Sequence, residues 1–244
     1  MKQFGLIGFP LEHSFSKGYF TKKFERENIR DCLFQNFPLE DLSAFPDLLR
    51  NHPDLCGLAV TIPYKEKILA FADAAADDVV QIGAANCIRI QSGICTAFNT
   101  DIIGFRQSLN RFLGNNPLPA LVLGTGGAAK AIAFVLRKLD VPYLQVSRQQ
   151  QNGTITYSAI SPALLNSYPL IINCTPLGMF PHTESAPPIP YRWLTPANRL
   201  FDLVYNPAKT RFMEYGEAAG CSVCNGLDML EIQAEANWHI WNAS

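Results

Sequence analysis

Short apolar runs alternate with amphipathic stretches along most of the chain. The apolar runs predict strands at 4–8, 32–37, 57–62, 84–90, 94–98, 120–123, 143–146, 154–157, 170–173, 200–204 and 221–224. Apolar residues at helical spacing predict helices over 16–29, 39–49, 66–75, 99–113, 128–139, 210–219 and 227–241. Ser16 is the expected cap of the first helix, and the pattern around 84–98 is typical of a hairpin. This alternation predicts an α/β fold with a parallel sheet covered on both faces.

A glycine-rich turn joins the strand 120–123 to the helix that follows it. Gly124-Thr-Gly126-Gly127-Ala128-Ala129 has the pattern G-x-G-x-x-A. In this pattern the first glycine permits a tight turn, the second admits a pyrophosphate close to the backbone, and the small last residue lets helix and strand pack closely. Free N–H groups at the helix start bind phosphate. The turn therefore predicts a dinucleotide site, and the alternative is an ordinary turn that needs glycines.

The end of the next strand indicates which dinucleotide binds. An NAD site places an acidic residue there, on the ribose 2′-hydroxyl. Here the strand 143–146 is followed by Ser147 and Arg148. A guanidinium is a planar donor for a 2′-phosphate, so this pair favours NADP over NAD. The alternative is a solvated loop arginine. The segment after Arg148 is too short for a full helix, so one crossover of the usual pattern is reduced.

Composition excludes several classes of protein. The 244 residues are 48% hydrophobic with a net charge of −1, which gives no basic surface for nucleic acid or an acidic membrane. No apolar run is long enough for a membrane span, and the N-terminal run is too short for a secretory signal. Seven scattered cysteines are typical of reduced, buried thiols in the cytoplasm. Cys221-Ser-Val-Cys224 has no partner pair at zinc spacing, so no metal site is expected.

Seven motifs in order resemble those of the shikimate dehydrogenase family over nearly the whole chain. They are His13-Ser14-Phe-Ser16, Val60-Thr61-Ile-Pro63-Tyr-Lys65, Gly83-Ala-Ala-Asn86, Asn99-Thr100-Asp101 with Gly104, Gly124-Thr-Gly126-Gly127-Ala128, Ile172-Asn173-Cys-Thr175-Pro176 with Gly178-Met179, and Gly226-Leu-Asp-Met229-Leu-Glu-Ile-Gln233. The sequence departs from the family at Ala59, where Asn is usual, and it lacks the family's helix after Arg148 and its tail beyond the last helix.

The resemblance implies two domains with the active cleft between them. Residues 1–99 and 226–244 would form a mixed α/β substrate domain. Residues 100–225 would form a Rossmann-like, doubly wound NADP-binding domain, and the C-terminal helix would return to the first domain. The implied reaction is the NADPH-dependent, reversible reduction of 3-dehydroshikimate to shikimate in aromatic amino acid and chorismate biosynthesis. The partners would be small molecules, and the assembly a monomer or a homodimer.

The resemblance also assigns roles to residues. Lys65 and Asp101 would be catalytic, with the ammonium donating to the developing alkoxide and the carboxylate orienting it. Outside these motifs, Lys65 would more simply be a solvated lysine and Asp101 a helix cap. The expected substrate residues are Ser14, Ser16, Thr61, Lys65, Asn86, Asp101, Tyr205 and Gln233. The expected cofactor residues are Gly124, Gly126, Gly127, Ala128, Ser147, Arg148, Asn173, Thr175, Gly226 and Met229, although Met229 would serve equally as a core residue.

Two other functions remain open on the sequence. Ala59 and the short segment after Arg148 leave room for a quinate/shikimate dehydrogenase that uses NAD or both cofactors. A non-catalytic NADP-binding sensor would use the same scaffold, but it would have no need of Lys65 and Asp101.

Overall fold

The computed structural model describes residues 1–12, 14–114, 116–150 and 153–243. The chain forms two compact units, one made of Met1–Thr100 with Gln233–Ser244 and the other of Asp101–Ile232. Each unit contains one six-stranded sheet. Among the described helices, none has both the length and the apolar character needed to cross a bilayer.

The first unit is built on a mixed sheet. Its strands and helices are β1 (Lys2–Gly8), α1 (Phe15–Arg26), β2 (Cys32–Pro38), α2 (Phe45–Asn51), β3 (Leu55–Val60), β4 (Ala74–Ala75), α3 (Asp77–Ile82), β5 (Cys87–Gln91) and β6 (Ile94–Phe98), with short 3-10 helices at Leu42–Ala44 and Lys67–Phe71. The strand order is β2-β1-β3-β5-β6-β4. β1 runs parallel to β2 and β3, whereas β5 is antiparallel to both β3 and β6.

Each face of this sheet carries its own apolar core, because successive strand residues point to opposite faces. Leu58 and Ile88 lie in one cluster, while their neighbours Ala59 and Cys87 lie in the other. Trp241 from the C-terminal end of the chain packs in the second cluster, and its Nε1 donates to the Ile88 carbonyl at 3.0 Å. The large aromatic side chain at 241 fits because position 57 is glycine. A Cβ there would lie 2.2 Å from the indole.

The second unit is a doubly wound parallel sheet. Its elements are α4 (Asp101–Leu113), β7 (Ala120–Leu123), α5 (Gly127–Lys138), β8 (Tyr143–Ser147), β9 (Thr154–Thr156), α6 (Pro162–Ser167), β10 (Leu170–Asn173), β11 (Arg199–Asp202), α7 (Arg211–Ala218) and β12 (Ser222–Cys224), with 3-10 helices at Tyr157–Ala159 and Tyr191–Trp193. The last helix, α8 (Leu227–Trp241), begins in this unit and ends in the first. The order is β12-β11-β10-β7-β8-β9 and all five pairings are parallel. The strand order reverses between β7 and β10, which is the Rossmann arrangement.

Apolar clusters cover both faces of the parallel sheet. Alternate residues of β7 and β10 point to the two clusters: Val122 and Ile172 enter one, and Leu121 and Ile171 enter the other. All four side chains are fully buried. A parallel sheet of this kind is covered on both sides, so the α/β fold predicted from the apolar runs is confirmed. The crossover from β8 to β9 contains no helix in its described residues.

The helix predicted over 66–75 is wrong. The chain forms the 3-10 helix Lys67–Phe71, then β4, and then α3, which the apolar pattern did not reveal. The cause is pairing with β6. The Asp73 N–H donates to the Cys95 carbonyl at 2.8 Å and the Ala76 N–H to the Ala97 carbonyl at 3.0 Å. These bonds hold the segment extended, so it cannot continue as a helix.

The predicted cap of the first helix is also wrong. α1 begins at Phe15, the N-cap position is Ser14, and Ser16 is a buried residue within the first turn. The helix ends at Arg26 rather than near Ile29, because Asn28 adopts a left-handed conformation with φ 56°.

The division within the C-terminal helix lies at 233 and differs from the expected boundary at 226. The first two turns of α8 pack in the second unit, where Met229 is part of the core beside Phe105 and Phe201. The later residues Ala234 and Trp241 pack in the first unit. One helix therefore contributes to both cores.

Candidate active site

In the first unit, the topology brings four motifs to one edge of the sheet. β1 and β3 are parallel, so the loops that carry Ser14 and Thr61 leave from the same edge. β5 is antiparallel to β3 and β6 antiparallel to β5, so Asn86 at the start of β5 and Thr100 after β6 lie at that edge too. Segments separated by up to 86 positions, from Ser14 to Thr100, thus meet at one place.

Backbone hydrogen bonds fix the segment that carries Lys65. The Thr61 N–H donates to the Ile7 carbonyl at 2.9 Å, and the Ala85 N–H donates to the Lys65 carbonyl at 2.7 Å. Between them, the buried Tyr64 donates its hydroxyl proton to the Leu39 carbonyl at 2.6 Å. The Lys65 backbone is therefore held on both sides, and its side chain is half-buried.

The two serines of the first motif have different surroundings. Ser14 is half-buried, and its hydroxyl donates to Asn36 Oδ1 at 3.1 Å. Asn36 in turn donates from Nδ2 to the Leu11 carbonyl at 3.3 Å. Ser16 is 8% exposed inside the first turn of α1. His13, which opens the motif, lies outside the described residues.

Four buried polar side chains form a hydrogen-bond network at the same edge. They are Asn86, Thr100, Gln233 and Asn237, and each is at most 8% exposed. Asn86 Nδ2 donates to Thr100 Oγ1 at 3.0 Å and to Gln233 Oε1 at 3.1 Å, while the Thr100 N–H donates to Asn86 Oδ1 at 2.6 Å. Asn237 accepts the Thr100 hydroxyl proton at 2.7 Å and donates to Gln233 Oε1 at 3.3 Å. Buried amides cost free energy unless they are paired, so this network fixes all four side chains together.

Sequence reasoning assigned Asn86 and Gln233 to the site, named Thr100 only as part of the motif Asn99-Thr100-Asp101, and missed Asn237. A signal was available. Asn237 lies four residues after Gln233, so both side chains fall on the same face of α8. Nearby residues of α8, Ala234 and Trp241, are apolar and buried in the core. Two carboxamides among apolar residues indicate a buried polar pair.

Asp101 is the first residue of α4 and is 4% exposed. It follows directly after Thr100, which the network holds by both its N–H and its hydroxyl. A carboxylate in the first turn also interacts favourably with the helix dipole. Asp101 belongs to the second unit and Lys65 to the first.

In the second unit, the glycine turn lies at the point where the strand order reverses. Gly124 follows β7 with φ 110°, and a Cβ there would lie 3.3 Å from the Thr175 side chain in the loop after β10. Both the left-handed backbone and the close approach require glycine. Gly126 is the N-cap of α5, and a Cβ there would meet nothing within 4 Å. A ligand at the carboxyl ends of β7 and β10 would thus find open space beside Gly126, as the position of a phosphate requires.

The next loop carries the residues expected to choose the cofactor. Ser147 ends β8 and is buried, and its Oγ accepts the Gln149 N–H at 3.4 Å. Arg148 is exposed directly after it. In a Rossmann fold the ribose of the cofactor is bound at the end of this strand, and Arg148 places one exposed guanidinium there. Gln151 and Asn152, further along this loop, lie outside the described residues.

A second polar network organises the loop after β10. Asn173 is fully buried, and its Oδ1 accepts the Thr175 N–H at 3.0 Å and the Thr175 hydroxyl at 2.6 Å. Its Nδ2 donates to Asp202 Oδ1 at 2.9 Å. Asp202 also accepts the Val204 N–H at 3.0 Å and the Thr210 hydroxyl at 2.6 Å. Burial raises the pKa of Asp202 to about 6 in spite of these donors.

Sequence reasoning missed Asp202, although a lone carboxylate at the end of an apolar strand was a usable signal. It named Tyr205, which is half-buried in the loop after β11. It also named Gly226 and Met229. A Cβ at Gly226 would lie 2.1 Å from the Leu203 carbonyl oxygen, so the backbone itself requires glycine there. Met229 is 6% exposed and packs in the apolar core of the second unit.

A family model and a full-length relative both indicate the same family. A family model described as the shikimate dehydrogenase substrate binding domain matches residues 6–88. A protein of Caldicellulosiruptor bescii named shikimate dehydrogenase (NADP(+)) is 34% identical over an alignment 258 positions long, gaps included. The alignment covers 99% of this chain and 89% of the relative.

Solved structures agree with the sequence relatives. A shikimate dehydrogenase in complex with NADP+ matches with a TM-score of 0.88 and 30% identity, covering 99% of this chain and 90% of that one. The shikimate 5-dehydrogenase of Thermus thermophilus, in complex with NADP(H) and shikimate, matches with a TM-score of 0.87 and 30% identity over 99% of this chain and 94% of that one.

Proposed function

The chain belongs to the shikimate dehydrogenase family, and we propose that Lys65 and Asp101 carry the proton chemistry of its reaction. The protein is an NADP-dependent oxidoreductase that acts on a CH–OH group, reversibly reducing 3-dehydroshikimate to shikimate. The observation that carries this conclusion is the relation to NADP(+) enzymes of this name over 99% of the chain. That relation does not favour the NAD-preferring or sensor alternatives.

The protein must deliver one proton to the ketone oxygen. When bound, NADPH supplies the hydride for the carbonyl carbon. In the proposed mechanism the Lys65 ammonium donates a hydrogen bond to the ketone oxygen and transfers its proton to that oxygen as the negative charge of an alkoxide develops there, which gives the hydroxyl of shikimate. The Asp101 carboxylate would orient the ammonium. Neutral Lys65 then regains a proton from solvent, and the reverse reaction uses neutral Lys65 as the base.

The substrate presents one carboxylate and several ring hydroxyls, so its site needs polar partners. We assign the carboxylate to the Ser14 and Ser16 hydroxyls and to Tyr205. We assign the ring hydroxyls to Thr61, Asn86, Asp101 and Gln233. The convergence of Ser14, Thr61, Asn86 and Lys65 at one edge of the first sheet supports this assignment, because a small polyol is bound by many short polar contacts rather than by an apolar wall.

The second unit fits a dinucleotide. We assign the pyrophosphate to the turn formed by Gly124, Gly126, Gly127 and Ala128, where α5 begins and position 126 is open. We assign the 2′-phosphate to Ser147 and Arg148. Asn173, Thr175, Gly226 and Met229 would flank the nicotinamide and its ribose. The ordered Asn173–Thr175 bonds support a preformed site, because a rigid loop loses little entropy when it binds.

Lys65→Ala tests the catalytic assignment. We expect kcat for shikimate oxidation to fall by about a hundredfold or more, while the Kd for NADP+ stays within about twofold, since the lysine holds a proton rather than the cofactor. Lys67→Ala, which removes an exposed lysine two positions away, is the matched control and should behave as the wild type. A Lys65→Ala enzyme with a wild-type rate would remove the lysine from the mechanism.

Gly126→Ala tests the cofactor assignment. The added methyl meets no protein atom within 4 Å, so we expect an unchanged melting temperature. Close approach of the pyrophosphate requires glycine at this position, so the Kd for NADP+ should rise at least about tenfold by calorimetry. Unchanged NADP+ affinity would place the phosphates elsewhere.

We further propose a cytoplasmic enzyme of aromatic amino acid and chorismate biosynthesis that acts as a monomer or a homodimer, with no nucleic-acid or membrane partner. All seven cysteines are free, which supports a reducing compartment. Light scattering on the purified protein would give the oligomeric state, and growth of a strain that lacks this enzyme activity would test the pathway.

A further inference from the structure

We propose that Asn237 holds the Gln233 amide in place by a second donor to Oε1, so that Gln233 presents only N–H donors to the substrate. Asn237 is thus a positioning and specificity residue. The inference deepens the proposed function and rests on it, because it concerns how the shikimate site recognises one ring oxygen.

One backbone group fixes the polarity of the whole network. A carboxamide can be turned so that its oxygen and nitrogen exchange places, and only its partners decide which is correct. The Thr100 N–H lies 2.6 Å from Asn86 Oδ1. A backbone N–H can only donate, so the atom of Asn86 that faces it must be the oxygen. Asn86 Nδ2 must then face Thr100 Oγ1 at 3.0 Å and Gln233 at 3.1 Å.

The direction propagates from Asn86 to Gln233. Because Asn86 Nδ2 can only donate, the atom of Gln233 that faces it must be Oε1. Asn237 approaches the same Oε1 at 3.3 Å and must do so with Nδ2. Its Oδ1 then faces the Thr100 hydroxyl at 2.7 Å. That hydroxyl accepts from Asn86 and has one proton to give. It also lies 3.2 Å from Asn86 Oδ1 and 3.4 Å from Gln233 Oε1, but the nearest acceptor, Asn237, receives the proton.

Gln233 can offer a ligand only hydrogen-bond donors. Its Oε1 takes donors from Asn86 and Asn237, and within the described residues its Nε2 makes no hydrogen bond. The two N–H bonds of Nε2 are therefore available to a ligand, and the ligand atom that faces them must be an acceptor. A ring hydroxyl oxygen satisfies this requirement and keeps its own proton for another partner. An analogue without that oxygen would leave the amide unpaired and bind weakly.

Asn237 acts on the substrate through Gln233, and a carboxylate at 237 would remove its effect. Asn237→Asp is nearly isosteric, and its ionised oxygen still accepts from Thr100. It cannot donate to Gln233 Oε1, and two acceptors would then face each other. Asn86 Nδ2 still requires Oε1 on its side, so the Gln233 amide cannot turn over; repulsion from the carboxylate would instead displace it and move its N–H bonds away from the ligand. Protonation of the new carboxyl restores one donor and with it the original position of the amide. Burial raises the pKa of a carboxyl, so this recovery should fall in an accessible range.

The test is shikimate binding by calorimetry, without cofactor, from about pH 9 to about pH 5. For N237D at high pH we expect the Kd to rise about tenfold or more, and to return toward the wild-type value as the pH falls. The Kd of N237D is divided by the Kd of the wild type at each pH. This ratio removes any effect of the charged groups that both proteins share, including Lys65, Asp101 and Glu235. N237L fills the same space without hydrogen bonds and should lose affinity at every pH. NADP+ affinity should stay within about twofold in both variants.

Two results would overturn the proposal. The first is wild-type shikimate affinity in N237D and N237L. The second is a loss in N237D that is the same at every pH, since that would be a packing defect with no role for the donor. If N237L fails to fold, N237D alone decides the matter. Wild-type protein that binds no shikimate would instead refute the proposed function, so the two failures are distinguishable.

Discussion

Asp202 offers a quantitative test of how burial acts on a carboxylate in the second unit. Its side chain is fully buried at the end of β11. Three donors, from Asn173, Val204 and Thr210, stabilise its charge. None of the ion pairs among the described residues includes it. Desolvation outweighs the donors and raises its pKa from 3.8 to about 6. The proposed perturbation is Asp202→Asn, which removes the titration and keeps the size of the side chain.

The magnitude follows from linkage between protonation and folding. The folded protein holds the Asp202 proton up to about pH 6, whereas the unfolded chain loses it near 3.8. Between these values the folded state binds more protons, so this group's contribution to stability falls as the pH rises. At about 1.4 kcal/mol per pH unit, ionised Asp202 costs about 3 kcal/mol at neutral pH. Relative to D202N, the wild type should therefore gain about 2–3 kcal/mol between about pH 7 and about pH 4.

The measurement must report the second unit alone. Urea unfolding followed by pulsed hydrogen exchange, read by mass spectrometry on peptides from β7 and β10, meets this need, since those strands are fully buried in this unit. Asp140→Asn is the matched control, because Asp140 is an exposed carboxylate of the same unit whose φ of 53° suits asparagine. Parallel stability curves for wild type and D202N, or a gain for D202N in acid, would refute the reasoning.

Two further predictions concern packing and cofactor choice. Gly57→Ala should lower the free energy of unfolding by about 1–3 kcal/mol, because its Cβ would lie 2.2 Å from the Trp241 indole. Gly18→Ala, in an open helical position, should instead raise it by about 0.5–1 kcal/mol, and urea unfolding that ranks the two the other way would contradict the packing argument. Arg148→Ala should weaken NADP+ by about 1.5–3 kcal/mol and NAD+ hardly at all, as measured by calorimetry. Equal weakening of both cofactors would exclude the phosphate contact.

Corrections to the sequence expectations share one cause. The segment after Phe71 has helical spacing, yet it pairs with β6 through Asp73 and Ala76. Ser16 has the chemistry of a helix cap, but the helix starts earlier and Ser14 takes the cap position. In each case a local preference of a fraction of a kcal/mol to about 1 kcal/mol yields to hydrogen bonds or packing made with a distant segment.

The sequence by itself determined the parts of this protein that depend on neighbouring residues. Strands follow from short apolar runs, and the turn at Gly124 and Gly126 follows from the backbone freedom of glycine, so the α/β class and the glycine turn after β7 were readable in advance. Only the tertiary structure decided which polar groups meet. Asn86 and Gln233 are 147 positions apart in the chain, and Asn173 pairs with Asp202 across two strands. Such pairings are chosen by the burial of the whole unit, because a buried amide or carboxylate must find a partner wherever the fold places one.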